Sequence, residues 1–199
     1  MTRYSQEFWI NDDSNKAIIP IMRNGSSSIK QILSKDKAWR ESHTFVDANV
    51  KFYTVWRHPY KRFLSAIGRE LSDILDKHKG REREVLNNYR NEWSNHPDKM
   101  LELRHMIGQM ETCKGATESG SNITIYNFPG NLHNMMREVL GKTVRMPVLN
   151  TTKEHHYTIL EFVENQSARW MEGWHQDRYR NDYEIWDQLL KADTLSIIS

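Results

Sequence analysis

The sequence predicts one α/β domain, residues 1–199, with a mainly parallel central sheet flanked by helices. Three observations lead there. Short runs of β-forming residues alternate with stretches of helical apolar spacing. Loops of small or basic residues stand where a strand would hand over to a helix. A chain of 199 residues, 38% hydrophobic and with seven Trp, can bury a core without disulfides or metals.

Residues 17–22 form a continuous apolar run that reads as a buried strand, weakened by Pro20. Residues 23–28 are a loop, after which Ile29, Ile32 and Leu33 follow at helical spacing. Residues 51–56 are rich in β-formers and read as a second strand, ended by Arg57-His58-Pro59. Phe63, Leu64, Ile67, Leu71, Ile74 and Leu75 mark one face of a helix, and Val85, Leu86, Tyr89 and Trp93 mark another. A third helix is expected over 98–110, a loop over 115–121 and a third strand over 123–126. Leu132, Met135, Met136, Val139 and Leu140 repeat with the period of a helix. A short strand is expected at 144–149 and a helix around Ile159 to Val163. Tyr179, Tyr183, Trp186 and Leu190 mark the last helix. The strand-to-helix turns fall at 23–28, 57–60 and 128–131. Open α/β sheets bind ligands at the carboxyl ends of their strands, so these turns are the place for a site.

The charge balance, 28 basic against 26 acidic residues, is not that of a protein that coats nucleic acid. The single cysteine, Cys113, permits no intrachain disulfide and fits a reducing compartment. The first sixteen residues hold no apolar run like a signal peptide. Residues 17–22 fall far short of the roughly 20 residues a bilayer span requires. A cytoplasmic protein without a membrane partner is expected.

Residues 23–28, Arg-Asn-Gly-Ser-Ser-Ser, have the makings of an anion cradle. A helix start offers amide N–H groups and a partial positive charge, Gly25 lets the backbone approach a ligand, three hydroxyls can donate, and Arg23 adds a planar charged fork. A plain serine N-cap is the alternative. The Gly-Lys-Ser/Thr of a nucleotide-hydrolysing P-loop is missing, which disfavours a kinase or ATPase. In residues 56–65, Pro59 can start a helix, Arg57 stands at the strand end and Ser65 lies about two turns into the helix. Arg57 and Ser65 could converge on one phosphate. The alternative is a solvated basic helix start.

Residues 57–65 resemble the Arg-Asp-Pro-x-x-Arg-x-x-Ser element of sulfotransferases that use 3′-phosphoadenosine 5′-phosphosulfate (PAPS). Residues 22–29 resemble that family's Pro-Lys-x-Gly-Ser/Thr-x-Ser-Leu loop. The resemblance is closest to the carbohydrate enzymes of the chondroitin and heparan sulfate type. Residues 103–109 with Cys113 look like their His-x-x-Pro-Gln segment, and 125–128 like their Tyr-Asp-Phe strand. Residues 149–152 look like their Leu-Asn-x-Ser/Thr segment, and 179–183 like their C-terminal Tyr-x-x-Asp-Tyr helix. It implies a P-loop-like three-layer domain, PAPS as donor, and a small-molecule or carbohydrate acceptor. It implies that Arg23, Asn24, Gly25, Ser26, Ser27 and Ser28 hold the 5′-phosphosulfate, and that Arg57 and Ser65 hold the 3′-phosphate. Arg23 stands where the family has lysine, Met22 where it has proline, and His58 where it has an acid before the proline. A guanidinium neutralises charge but does not readily lend a proton.

Sulfuryl transfer asks for in-line positioning, charge neutralisation and a base for the acceptor. No metal is needed if arginine and helix amides neutralise the charge. Histidine suits the base at neutral pH. His105 comes first because it matches the family's histidine segment. His43 is second, since some sulfotransferases carry their catalytic histidine shortly before the strand that leads to the 3′-phosphate. Glu70 is third. His155 and His156 are adjacent but have no matching ligand pair, so no metal site is expected. A non-catalytic binder of nucleotides or sulfated glycans is the competing class.

Overall fold

Five consecutive buried residues, Phe52 to Trp56, mark the middle of a sheet, because a strand covered on both faces has no polar face to show. The computed structural model describes residues 7–43, 49–102, 106–147, 159 and 168–197, with backbone alone at 168–170. Its strands are β1 (Phe8–Asn11), β2 (Lys16–Ile18), β3 (Arg40–Ser42), β4 (Lys51–Trp56), β5 (Ile123–Asn127) and β6 (Thr194–Ile197). Its helices are α1 (Ser26–Leu33), α2 (Pro59–Leu75), α3 (Glu82–Asn95), α4 (Gln109–Glu118), α5 (Leu132–Leu140), α6 (Ala168–Arg178) and α7 (Arg180–Ala192), with a 3-10 helix at Pro97–Glu102. The chain forms two compact units. Met1–His58, Gly108–Asn150 and Asn181–Ser199 make the first, and Pro59–Ile107 with Thr151–Arg180 the second.

The first unit is a mixed α/β layer structure. Its sheet has the order β3-β1-β2-β4-β5-β6. β2, β4 and β5 are parallel, with Ala17 beside Phe52 and Phe52 beside Ile123. The flanks are antiparallel: β1 pairs with β2 and β3, and β6 pairs with β5. The expected mainly parallel sheet is therefore realised in its centre and gives way to antiparallel pairing on both sides. Side chains alternate along the strands. Phe8, Ile10, Phe52, Trp56, Ile123 and Ile125 pack with Cys113 and Ala116 of α4 and Trp186 and Leu189 of α7. Trp9, Ile18, Tyr53, Val55 and Tyr126 pack on the other face with Ile29 and Leu33 of α1 and with Leu132, Met135, Met136 and Val139 of α5. Helices thus cover both faces, in three layers.

The second unit is helical where described. Phe63, Ala66, Ile67, Leu71 and Leu75 of α2 share a core with Leu86 and Trp93 of α3, Met100 and Met171.

Several expectations change. The helix expected over 98–110 is the 3-10 helix Pro97–Glu102, and α4 begins only at Gln109. The loop expected over 115–121 is helical through Glu118. Burial of Cys113 and Ala116 outweighs the roughly 1 kcal/mol that Gly115 costs a helix. Residues 144–147 form no strand, and 148–149 lie outside the described residues. Ile159 is helical and buried, while 160–163 lie outside the described residues. β1, β3, β6 and α6 were not foreseen. No helix among the described residues is long and apolar enough to cross a membrane.

In the second unit Tyr60 stacks on Phe63 at 5.7 Å and meets His175 at 5.8 Å. Burial, with a smaller push from Glu172, raises its phenol from 10.0 to about 12. The folded state keeps a proton that the unfolded state releases near pH 10. This stabilisation is therefore whole below pH about 10 and is lost as pH rises towards 12. In guanidinium titrations over that interval, wild-type stability should fall more steeply with pH than that of Tyr60→Phe. Parallel slopes would contradict the assignment.

Candidate functional site

Because β2, β4 and β5 are parallel, the turns that follow them open at one edge of the sheet. β2 stops early for a simple reason. Ile19 N–H still reaches Tyr53 C=O at 2.9 Å, but Pro20 has no N–H to continue the ladder. The chain then turns sharply, with Asn24 N–H on Ile21 C=O at 3.1 Å, Arg23 at φ 69° and Gly25 at φ 80°. Gly25 is the N-cap of α1 and offers no side chain to the first-turn amides. An anion can take that role.

Gly25 is required twice over. Its φ suits glycine, and a Cβ there would come 3.0 Å from Phe128 Cε2 and 3.2 Å from Leu132 Cδ2. Phe128 lies in the turn after β5. The Arg57 guanidinium carbon, from the turn after β4, lies 6.0 Å from the centroid of the same ring. One aromatic ring is thus shared by all three turns.

Arg57 is half-buried, and desolvation pulls its pKa below the ordinary arginine value. It stays charged all the same. No carboxylate among the described residues pairs with it. A cation withdrawn from water without a counter-ion is costly. It marks a place where an anion would be welcome.

A buried polar junction holds two of these turns. The Asn24 side-chain amide donates to Val55 C=O at 2.8 Å and to Gln109 Oε1 at 2.6 Å. Gln109 Oε1 also accepts Arg57 N–H at 3.0 Å, while its Nε2 donates to Arg57 C=O at 2.9 Å. Gln109 thereby pairs with the Arg57 backbone as a neighbouring strand would. Its own N–H and that of Met110 donate to the two oxygens of Asp182, at 2.7 and 2.8 Å. Asp182 caps the first turn of α4, where a carboxylate is favoured. His58 meets Tyr183 and Trp186 of α7 at 5.9 and 5.7 Å between ring centroids.

Arg23, Asn24, Gly25, Ser26, Ser27, Ser28 and Arg57 therefore gather at one sheet edge. Two of them are committed to the fold. Asn24 is fully buried and both its amide bonds go to protein groups. The Ser28 hydroxyl donates to Pro147 C=O at 2.7 Å, so its backbone amide is what it can offer a ligand. Ser65 and Glu70 lie half-buried on α2 in the second unit, and Arg62 of the same helix is buried. His43 is exposed at the end of β3, with Nε2 3.5 Å from Glu41 Oε1. Since β3 and β2 are both antiparallel to β1, His43 is on the cradle's edge of the sheet, two strand spacings from β2, about 10 Å. His105, His155 and His156 lie outside the described residues. Among the described residues no group of three or more His, Cys, Asp or Glu could hold a metal ion. Gln109 and Asp182 were not singled out by residue chemistry. Their only signal was the resemblance of segments 103–109 and 179–183, which assigned them no role.

Fold and site together define a mixed α/β unit with a cationic, glycine-cradled edge at the ends of its parallel strands. Comparison with protein families, with curated proteins and with solved structures returns no match.

Gly25→Ala forces a side chain into the left-handed region and against Phe128. It should lower stability by about 1–3 kcal/mol in denaturant titrations. A neutral substitution would mean that the turn relaxes freely.

Proposed function

We propose that this chain is a sulfotransferase on a P-loop-like domain. It moves a sulfuryl group from PAPS to a hydroxyl or amine of a small-molecule or carbohydrate acceptor. Arg57 supports this most: a half-buried guanidinium without a carboxylate partner among the described residues, over the Phe128 ring against which Gly25 packs too closely for a Cβ. These residues suit a phosphorylated nucleotide. When bound, that donor supplies an activated sulfur whose bond to the 5′-phosphate oxygen breaks as the acceptor atom bonds to it. Arg23 and the first-turn amides of α1 hold the 5′ side and neutralise charge on the departing oxygen. Arg57 holds the 3′-phosphate, the role that the resemblance gives it. His105, or His43, takes the acceptor proton. No divalent cation is required, because the charge is met by arginine and amides.

A non-catalytic nucleotide or sulfated-glycan binder on the same cradle is favoured by one feature, Arg23 in place of the family's lysine. Retained affinity with no turnover against any acceptor would select it. Dependence on Mg²⁺ would select a nucleotide kinase instead.

Calorimetry in the presence of a chelator should show nanomolar to micromolar binding of 3′-phosphoadenosine 5′-phosphate. Removing the 3′-phosphate should cost about 1.5–3 kcal/mol, roughly ten- to a hundredfold in affinity. Arg57→Ala should erase that preference. No binding at millimolar nucleotide, or an unchanged preference in the variant, would refute the assignment.

His105→Ala should slow single-turnover sulfuryl transfer about 10²–10⁴-fold with nucleotide affinity intact, and His43→Ala should change it little. The reverse ranking gives the base to His43. Two silent variants leave Glu70 or water-mediated transfer.

A further inference from the structure

We infer that Gln109 is the positioning residue of this site, setting the cradle loop and the Arg57 turn in register for a single ligand. The inference rests on the nucleotide-binding role proposed above and goes beyond it, since it places control of the site in α4. Both turns end parallel strands, and the edge of a sheet leaves backbone groups there without a ladder partner. One side chain meets that need for Arg57, accepting its N–H at 3.0 Å and donating to its C=O at 2.9 Å. The same oxygen accepts the Asn24 amide at 2.6 Å, one residue before the N-cap of α1. A primary amide has the complement these partners demand, an acceptor with two lone pairs and a donor on the adjoining atom. Gln109 is itself fully buried, and its backbone N–H is pinned by Asp182 at 2.7 Å. Its geometry is therefore set from α7 and passed to both turns. Gln109 touches no ligand in this scheme. It acts through Asn24 on the α1 amides and through the Arg57 backbone on the guanidinium.

Three variants of the full chain test this: Gln109→Ala, Gln109→Glu and, as a control of general destabilisation, Val139→Ala in the core beneath α5. The probe is 3′-phosphoadenosine 5′-phosphate by calorimetry, beside thermal unfolding and amide hydrogen exchange. Gln109→Ala should lose about ten- to a hundredfold in affinity, while Val139→Ala, at a similar fall in Tm, stays within about twofold of wild type. Gln109→Glu adds a readout that a merely structural role would not move. Its carboxylate cannot donate to Arg57 C=O, but its protonated form can, with the other oxygen still accepting from Asn24 and Arg57. Its affinity relative to wild type should therefore recover as pH falls from about 8 to 5, since burial raises a carboxyl pKa. This variant also decides the matter if Gln109→Ala does not fold. Equal losses in Gln109→Ala and Val139→Ala, or a pH-independent deficit in Gln109→Glu, overturn the inference. If the wild type binds no nucleotide, the proposed function fails and amide exchange judges Gln109 alone. Faster exchange at Arg57 and Asn24 in the Gln109 variants, but not in Val139→Ala, upholds the positioning role, and equal exchange in all three refutes it.

Discussion

Where parallel strands end, their backbone groups lose the ladder that satisfied them, and an α/β protein must find other partners there or leave them to water. In this chain the buried side chain of Gln109 supplies them. It bonds both polar groups of the Arg57 peptide and the amide of Asn24, so the turns after β2 and β4 cannot shift independently. Leaving one of these buried groups without a partner would cost about 1–3 kcal/mol, more than the net worth of most hydrogen bonds. The three bonds couple the two turns through one side chain, while Asn24 Oδ1 in the same junction has no hydrogen-bond partner among the described residues.

The electrostatics of the same edge run against what stability alone would arrange. Arg40 and Arg81 are exposed, and each has a carboxylate, Asp12 at 2.7 Å and Glu84 at 2.6 Å. Such solvated pairs contribute little. Arg57, which is withdrawn from water and would gain most from a counter-ion, has none among the described residues. The turn after β2 holds Arg23 at φ 69°, in the region L side chains avoid, two residues before Gly25, whose φ of 80° glycine adopts freely. The strain at Arg23 and the desolvation of Arg57 fall in two turns that Gln109 and Asn24 join, and both are a cost the rest of the first unit must carry. They make sense together if a bound anion offsets both.

Much of the fold could be read from local chemistry. The run 51–56 needed no correction, because a strand buried on both faces is apolar without interruption. α1, α2 and α5 showed their buried stripes in the spacing of Ile29 and Leu33, of Phe63 to Leu75, and of Leu132 to Val139. The strand-to-helix turns were legible too, since Gly25 and Pro59 are residues that end strands and open helices. The short edge strands were not. β3 is three residues with two exposed, and β6 alternates exposed with half-buried positions, so neither carries a pattern strong enough to stand out.

What the sequence by itself determined were properties that depend on neighbours along the chain: apolar period, turn residues, and the residue types of an anion cradle. What only the tertiary structure decided were the partnerships across long separations. Asn24 and Gln109 are 85 residues apart, and Gln109 and Asp182 are 73 apart. Asn24 and Ser28, which resemble ligand-binding residues in sequence, turn their side chains to Gln109 and Val55 and to Pro147 instead. A side chain's hydrogen-bonding capacity is written in its chemistry, but which partner uses it depends on what the packed core brings within 3 Å, and that is a property of the whole fold.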